Sequence, residues 1–389
     1  MTDSPRLSNA DIAELTDWRR VLHRHPELSG QEVETAARVT AMLQATDPDR
    51  IATGLGGTGV AALYQGAEPG PRVLLRCELD ALPIVETSGV AHASTVPGKG
   101  HLCGHDGHMT LIAAMARLLG RSRPPRGSVV LMFQPAEEDG AGAARVLADP
   151  GFDPFKPDYA FAIHNMPGMA LGRVAVKPGP AACASRGMRI GLEGRTAHAS
   201  QPERGVSPMP AVATLLPGLT ALGPGGDGTG EDFALATVTH ARMGEPAFGI
   251  APGEAEIFVT LRALTDARMD QLVTEAEALV RDTAAAHGLS ARIGYEDVFL
   301  TTANDPEAAA IASAALDRIG VPHGPDPLPM RASEDFGRFG AEAKLAFLLL
   351  GSGEDHPALH NPDFDFPDDL IPVGAAIFSA IVEDILGQD

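Results

Sequence analysis

Cysteine is scarce in this chain: Cys77, Cys103 and Cys183 are the only three in 389 residues. An odd, widely scattered set excludes a disulfide framework as the organising device and points to a reducing cytoplasm. No CxxC pair occurs, which removes the usual dithiol redox centre. An apolar run is missing near the start, where Asp3, Arg6, Asp11 and Glu14 stand instead, so neither a secretory signal nor a membrane span is expected. Basic residues are in deficit as well, 30 Lys and Arg against 51 Asp and Glu, and the net charge of -21 disfavours nucleic-acid partners, whose phosphates it would repel. That charge does not constrain a small substrate, and most of the excess is a solvated, solubilising face.

What remains is an ordinary globular composition, 44% hydrophobic and 21% charged, in a chain long enough for about two to three domains and a substantial core. Helical spacing runs through Ile12, Leu15, Trp18 and Leu22 and again through Ala36, Val39, Met42 and Leu43. Residues 60–64 and 73–77 read as short strands, 111–119 as a helix and 128–133 as a buried strand. This alternation predicts an α/β fold: a mixed, mostly parallel sheet with helices on both faces. From Arg186 the pattern changes to half-exposed alternation. A helix over 211–222, strands over 235–241 and 255–264, a helix over 267–286 and a strand over 291–295 complete a strand-helix-strand-strand-helix-strand order, the ferredoxin-like α+β arrangement. Gly223 to Gly230 reads as a loop within this domain. After about Asp297 helices and strands resume, with a strand over 345–350 and a terminal helix over 373–386. The expected organisation is a first domain in two parts, 1–184 and 298–389, interrupted by an inserted domain over 185–297.

The densest chemistry lies in His101-Leu102-Cys103-Gly104-His105-Asp106-Gly107-His108. Three imidazoles, a thiol and a carboxylate in eight positions point to a divalent metal such as Zn2+, with Mn2+, Co2+ and Ni2+ also compatible. Cys103 and His105 would project to the same side of an extended or looped segment, with Gly104 allowing a tight turn. A structural zinc knot would need four Cys and His ligands in two short pairs, which three cysteines supply poorly. Gly54-Leu55-Gly56-Gly57-Thr58-Gly59 matches a dinucleotide-binding fingerprint, but a strand-like segment follows where that fold needs a helix. A Gly-rich hairpin turn is therefore expected there. Other candidates fall just after strands, where open α/β sheets place their sites: Glu78 and Asp80, Glu137 and Glu138, His164, and His360. The alternating pair should share a face, whereas the adjacent pair should point in different directions and so take different roles. His164 or His360 alone reads as a hydrogen-bonded structural histidine; beside the opening cluster each reads as a ligand.

Eight stretches carry a resemblance: His23 to Ser29, Leu79 to Pro83, Gly100 to His108, Gln134 to Glu138, His164-Asn165, Ala197 to Ala199, Ser333 to Phe336 and Leu359 to Pro362. As a set spanning nearly the whole chain, they resemble the dinuclear metal amidohydrolases and peptidases related to aminoacylase and carboxypeptidase G. The likeness is closest to the branch of hippurate hydrolases, auxin-conjugate hydrolases and N-acyl-amino-acid amidohydrolases. The resemblance implies two divalent ions per chain held by Cys103, His105, Glu138, His164 and His360, with Glu137 as the catalytic acid/base. It further implies that His198 reaches the oxyanion from the inserted lid and dimerisation domain, commonly across a homodimer. The residue chemistry agrees independently, since a two-metal hydrolase needs a polarised water and a carboxylate able to take its proton, and neighbouring glutamates can supply ligand and base.

The chain also departs from that family. Glu78 replaces a usual Asp, which bears on the support that Glu78 and Asp80 give the ligands. Gly249 stands where relatives often carry a substrate-binding Asn, and Pro202-Glu203 replaces a common Pro-His. Arg262, at a strand end, could still receive a substrate carboxylate. The expected function is a cytoplasmic, metal-dependent amidohydrolase cleaving N-acyl amino acids or similar small amides. A dipeptidase or aminopeptidase of the same superfamily would need a group to receive a free amino terminus, and a non-catalytic, metal-stabilised binding protein would have no use for Glu137.

Overall fold

Ser8 starts the first helix by reciprocal capping: its hydroxyl accepts from the Asp11 amide at 3.1 Å while the Asp11 carboxylate accepts from the Ser8 amide at 2.8 Å. The computed structural model describes residues 6–226 and 230–387; Asp3 and residues 227–229 of the expected Gly-rich loop lie outside them. Two units result. One runs to Ala181 and takes up Thr302–Leu328 and the chain from Asp335; the other is Ala182–Thr301 with Pro329–Glu334.

In the first unit, α1 (Asn9–Arg24) and α2 (Val33–Gln44) bury Leu15, Leu22, Val39 and Leu43. The strands β1 (Arg50–Leu55) and β2 (Gly59–Gln65) pair antiparallel, so the Gly-rich fingerprint is indeed a hairpin turn. Positive φ at Gly56 and Gly57 explains the glycines. Then come β3 (Glu68–Glu78), α3 (His105–Arg121), β4 (Arg126–Gln134), β5 (Tyr159–Pro167) and β6 (Val174–Ala175). Helix α3 begins well before the apolar periodicity predicts. Its first turn is polar but buried at His105, Asp106 and His108, and hydrogen bonding rather than apolar packing holds it. The expected looped segment is corrected accordingly: Cys103 is in the loop, while His105 opens the helix.

The second unit is β7 (Ala184–Glu193), β8 (Ala197–His198), α4 (Met209–Leu222), β9 (Ala234–Met243), β10 (Ile250–Ala251), β11 (Glu254–Ala263), α5 (Asp266–Ala286) and β12 (Ser290–Phe299). Its antiparallel sheet has the order β9-β11-β7-β12, the ferredoxin-like topology. Met188, Ile190 and Leu192 alternate inward with Ile257, Val259 and Leu261 to meet Leu215, Leu219, Leu272 and Val280 of the two helices. The other sheet face carries exposed pairs such as Arg189 with Glu256. One buried and one wet face is what period-2 alternation encodes.

The chain returns to the first unit with α6 (Pro306–Ile319), β13 (His323–Gly324), β14 (Lys344–Gly353) and α7 (Leu370–Leu386). The large sheet has the order β1-β2-β4-β3-β5-β14-β6-β13, and its centre, β4-β3-β5-β14, is parallel. Val73, Leu75 and Cys77 face α3 and α7 in the main core. The opposite face is covered by the short helix Gly142–Ala148 and by 3-10 turns at Pro150–Phe155 and Asp335–Ala341. No helix among the described residues is long and apolar enough to cross a membrane.

Candidate metal centre

Because β3, β4, β5 and β14 run parallel, their carboxyl ends share one edge, with Glu78 in register with Gln134 and His164 with Leu349. Three backbone kinks aim the side chains there. Ala136 and His360 have positive φ, and Gly104 at the start of α3 has φ +92. A Cβ at Gly104 would lie 2.1 Å from Asn165 Oδ1, so only glycine fits.

The result is a cluster of donors. Cys103, His105 and His164 each offer an atom within 4.8 Å of the others; so do Cys103, Glu138 and His360, and so do His105, Glu137 and Glu138. Cys103 Sγ is 3.4 Å from His164 Nε2, and Glu138 Oε1 is 3.9 Å from His105 Nε2 and 3.7 Å from His360 Nε2. The expectation that Glu137 and Glu138 diverge is thus wrong. Strand alternation ends with β4 at Gln134, and the positive φ at Ala136 turns both carboxylates towards His105.

The ring tautomers fit a cation. His105 Nδ1 donates to the Asp80 carbonyl at 2.9 Å and His164 Nδ1 to the Asn165 carbonyl at 2.8 Å, so each Nε2 presents a lone pair. His105 Nε2 is buried without a hydrogen-bond partner, which a coordinated ion would supply. Burial holds the Cys103 thiol well above its usual range, and the Glu138 carboxylate adds to this. A thiol, three imidazoles and two carboxylates converging at such distances suit divalent metals.

The supporting residues are buried and paired. Asp80 Oδ2 accepts from the Glu138 amide at 2.9 Å and from Ser29 Oγ at 2.7 Å, while Oδ1 lies 3.5 Å from His105 Nδ1. Burial alone would raise the Asp80 carboxyl, but the His105 ring holds it below its usual range. Glu78 bonds the Arg76 guanidinium and His108 Nδ1, and His108 Nε2 meets Asn165 Oδ1 at 2.7 Å. Burial opposes ionisation of Glu78 too, yet Arg76 and His108 keep its carboxyl well below the usual range. Arg76 also bonds Gln134 and Asp335, and Glu32 accepts from the Ala136 amide at 2.8 Å, fixing the kink before Glu137. These roles of Arg76, His108 and Glu32 escape the sequence reading. The available signal was a charged residue inside an otherwise apolar strand, at Arg76.

A second polar cluster backs α3. Asp106 Oδ2 lies 2.8 Å from Arg19 Nη1 and 2.9 Å from His23 Nδ1, and His23 Nε2 is 3.2 Å from Glu86. Asp365 and Asp368 also bond Arg19. Burial would lower the pKa of His23, but Asp106, Glu86 and Asp365 raise it to about 10. A pKa raised from 6.5 to about 10 stabilises the fold fully below about pH 6.5, and that contribution is lost as pH rises through about 10. His23→Gln should therefore cost about 1–3 kcal/mol in mildly acid buffer. Urea melts across this pH range should show the gap to the native protein closing; a gap that widens with pH would refute the charged state of His23.

Of the expected site residues, Cys103, His105, Glu137, Glu138, His164 and His360 come together in the first unit, with Asp80 and Glu78 behind them. His198, Gly249 and Arg262 belong to the second unit. His198 is exposed on β8, which pairs with β10, and the Gly249 carbonyl accepts from the Ala199 amide. His198 Nδ1 accepts from the Ser200 amide at 3.1 Å, which places the neutral ring's proton on the outward Nε2. Arg262, on β11, donates to Ser333 and to the Arg331 carbonyl.

Residues 74–384 match the family described as Peptidase family M20/M25/M40. The chain is 31% identical over 359 residues to N-acetyl-L-cysteine deacetylase of Bacillus subtilis (strain 168), covering 92% of this chain and 85% of that one. It is 29% identical over 393 residues to IAA-amino acid hydrolase ILR1-like 5 of Arabidopsis thaliana, covering 96% and 88%. Among solved structures it is similar to the Bacillus subtilis YXEP protein, described as a dinuclear metal-binding peptidase, with a TM-score of 0.82, 27% identity, and coverage of 98% of this chain and 100% of that one.

Proposed function

Because the chain belongs to peptidase family M20/M25/M40 and is a metal-dependent hydrolase, we propose that it removes the acyl group from N-acyl amino acids or closely related small amides. The observation that carries this reading is Glu137 beside a full set of donors at one sheet edge. We assign Cys103, His105, Glu138, His164 and His360 as the residues that would hold two divalent ions, Zn2+ or Mn2+ first, with Co2+ or Ni2+ also compatible. Ions held there would polarise the scissile carbonyl and the attacking water. Glu137 takes the proton of that water on its carboxylate and delivers it to the leaving nitrogen. His198 donates its Nε2 proton as a hydrogen bond to the carbonyl oxygen as negative charge develops. Asp80 and Glu78 hold the ligand rings and backbone in place.

We further propose a cytoplasmic homodimer formed through the inserted domain, within which His198 serves its own site or that of the partner. His198→Ala should lower the turnover number about 100- to 1000-fold with metal content unchanged. An unimpaired variant would remove this residue from the mechanism. The function itself is tested by a hydrolysis panel of N-acyl amino acids and free dipeptides with Zn2+, Mn2+, Co2+ or Ni2+ added. Cleavage of the acylated compounds is expected, and cleavage confined to dipeptides would favour a peptidase.

A further inference from the structure

Three imidazoles reach the metal centre, and they are not held alike. His105 stands on α3 and His164 on β5, both buried, and Nδ1 of each ring bonds a backbone carbonyl. His360 has neither support. It lies in the irregular segment between the end of β14 at Gly353 and the start of α7 at Leu370, and its side chain is 49% exposed. Among the described residues its ring makes no hydrogen bond to a carbonyl; Glu138 Oε1, at 3.7 Å, is beyond hydrogen-bond reach. Its φ of 66 is one that a histidine keeps only where the surroundings impose it. The place of this ligand is therefore set by whatever fastens the backbone of its segment.

Two backbone bonds act close by: the His360 amide donates to the Leu102 carbonyl at 2.8 Å, and the Thr87 amide to the Pro362 carbonyl at 2.6 Å. Beyond Pro362 the segment is fastened by Arg19 of α1. With its side chain fully buried, Arg19 donates from Nη1 to Asp365 Oδ1 at 2.8 Å and from Nε to Asp368 Oδ1 at 2.5 Å. The same Nη1 donates to Asp106 Oδ2 at 2.8 Å, and Asp106 directly follows His105. One guanidinium thus spans the helical turn that carries one ligand and the segment that carries another. A lysine could not replace it, because the rigid planar fork is what lets one cation meet three carboxylates at once. Asp365 also closes the segment on itself, its carbonyl accepting from His356 Nε2 at 2.7 Å.

We propose that Arg19 is a positioning residue for the metal centre: it sets the place of His360 relative to His105, and with it the affinity for the ion that Cys103, Glu138 and His360 would hold. This deepens the metal assignment and rests on it. Loss of Arg19 falls on that ion selectively, since His105 keeps its bond to the Asp80 carbonyl and Asp106 keeps His23 Nδ1 at 2.9 Å.

The test counts ions and needs no turnover. The zinc-loaded protein is titrated with a chelator such as dipicolinate, and the Zn2+ retained per chain is measured for the native form and for single variants. Arg19→Lys should release one ion at a chelator concentration about 10- to 100-fold lower than the native protein, the usual scale for a residue that supports a metal ligand, and hold the other ion as the native protein does. His360→Ala should show the same selective loss. Removing the buried guanidinium from three carboxylates can cost folding, so Asp368→Asn, which neutralises one of them at the half-buried end of the network, is measured beside it and should shift the same ion in the same direction. Arg20→Gln, which removes only the outer pair with Asp368, should match the native protein. The Co2+-loaded forms, read by visible absorption, should repeat the pattern. Both ions loosened equally, or neither loosened in Arg19→Lys and Asp368→Asn while His360→Ala still sheds one, overturns the positioning role and leaves the metal assignment standing. Full retention by His360→Ala overturns the assignment and the role together.

Discussion

Chelation of the purified protein should abolish hydrolysis outright, and returning about two divalent ions per chain should restore it. The effect is expected to be this large because the donor cluster has little other use for its charges. Glu137, Glu138 and the Cys103 sulfur converge on two rings whose Nε2 lone pairs face the same volume. Without a cation, burial pushes the Cys103 thiol up; with one, it would become a thiolate and a strong ligand. Cys103→Ser should accordingly weaken metal retention. Metal content by atomic absorption, measured alongside activity through chelation and add-back, checks the expectation, and full activity in metal-free protein would end it.

Glu137→Gln should keep its metal and lose turnover by about 100- to 10,000-fold, the range for a positioned acid/base group. The amide is nearly isosteric with the carboxylate but cannot accept and return a proton. Glu138→Gln should instead shed metal, since its Oε1 stands between His105 Nε2 and His360 Nε2. The pair of variants therefore separates two neighbouring residues by different readouts, occupancy for one and rate for the other. If both retained metal and near-normal rates, the division of roles would be wrong.

Much of this centre is legible in the sequence, because metal donors placed just after apolar strands are conspicuous, and parallel strands bring such positions to one edge. The inserted domain is legible for a related reason: its sheet is wet on one face, so Met188, Ile190 and Leu192 alternate cleanly with polar neighbours. Periodicity fails where burial is polar. The first turn of α3 is as enclosed as its apolar continuation, yet His105, Asp106 and His108 carry no hydrophobic signal. The divergence expected of Glu137 and Glu138 fails because alternation describes a strand and not the positive-φ kink at Ala136, which Glu32 fixes from a distant part of the chain.

The central position of β14 has a consequence for synthesis. In the finished sheet β5 is flanked by β3 on one side and β14 on the other. On the ribosome β3 and β5 emerge early, but β14 follows only after the whole second unit has been made. For on the order of ten seconds of elongation, the nascent sheet carries an unpaired apolar edge along Ala160–Ile163, the kind of edge that recruits other chains. The sheet of the first unit is therefore expected to complete only once β14 has emerged.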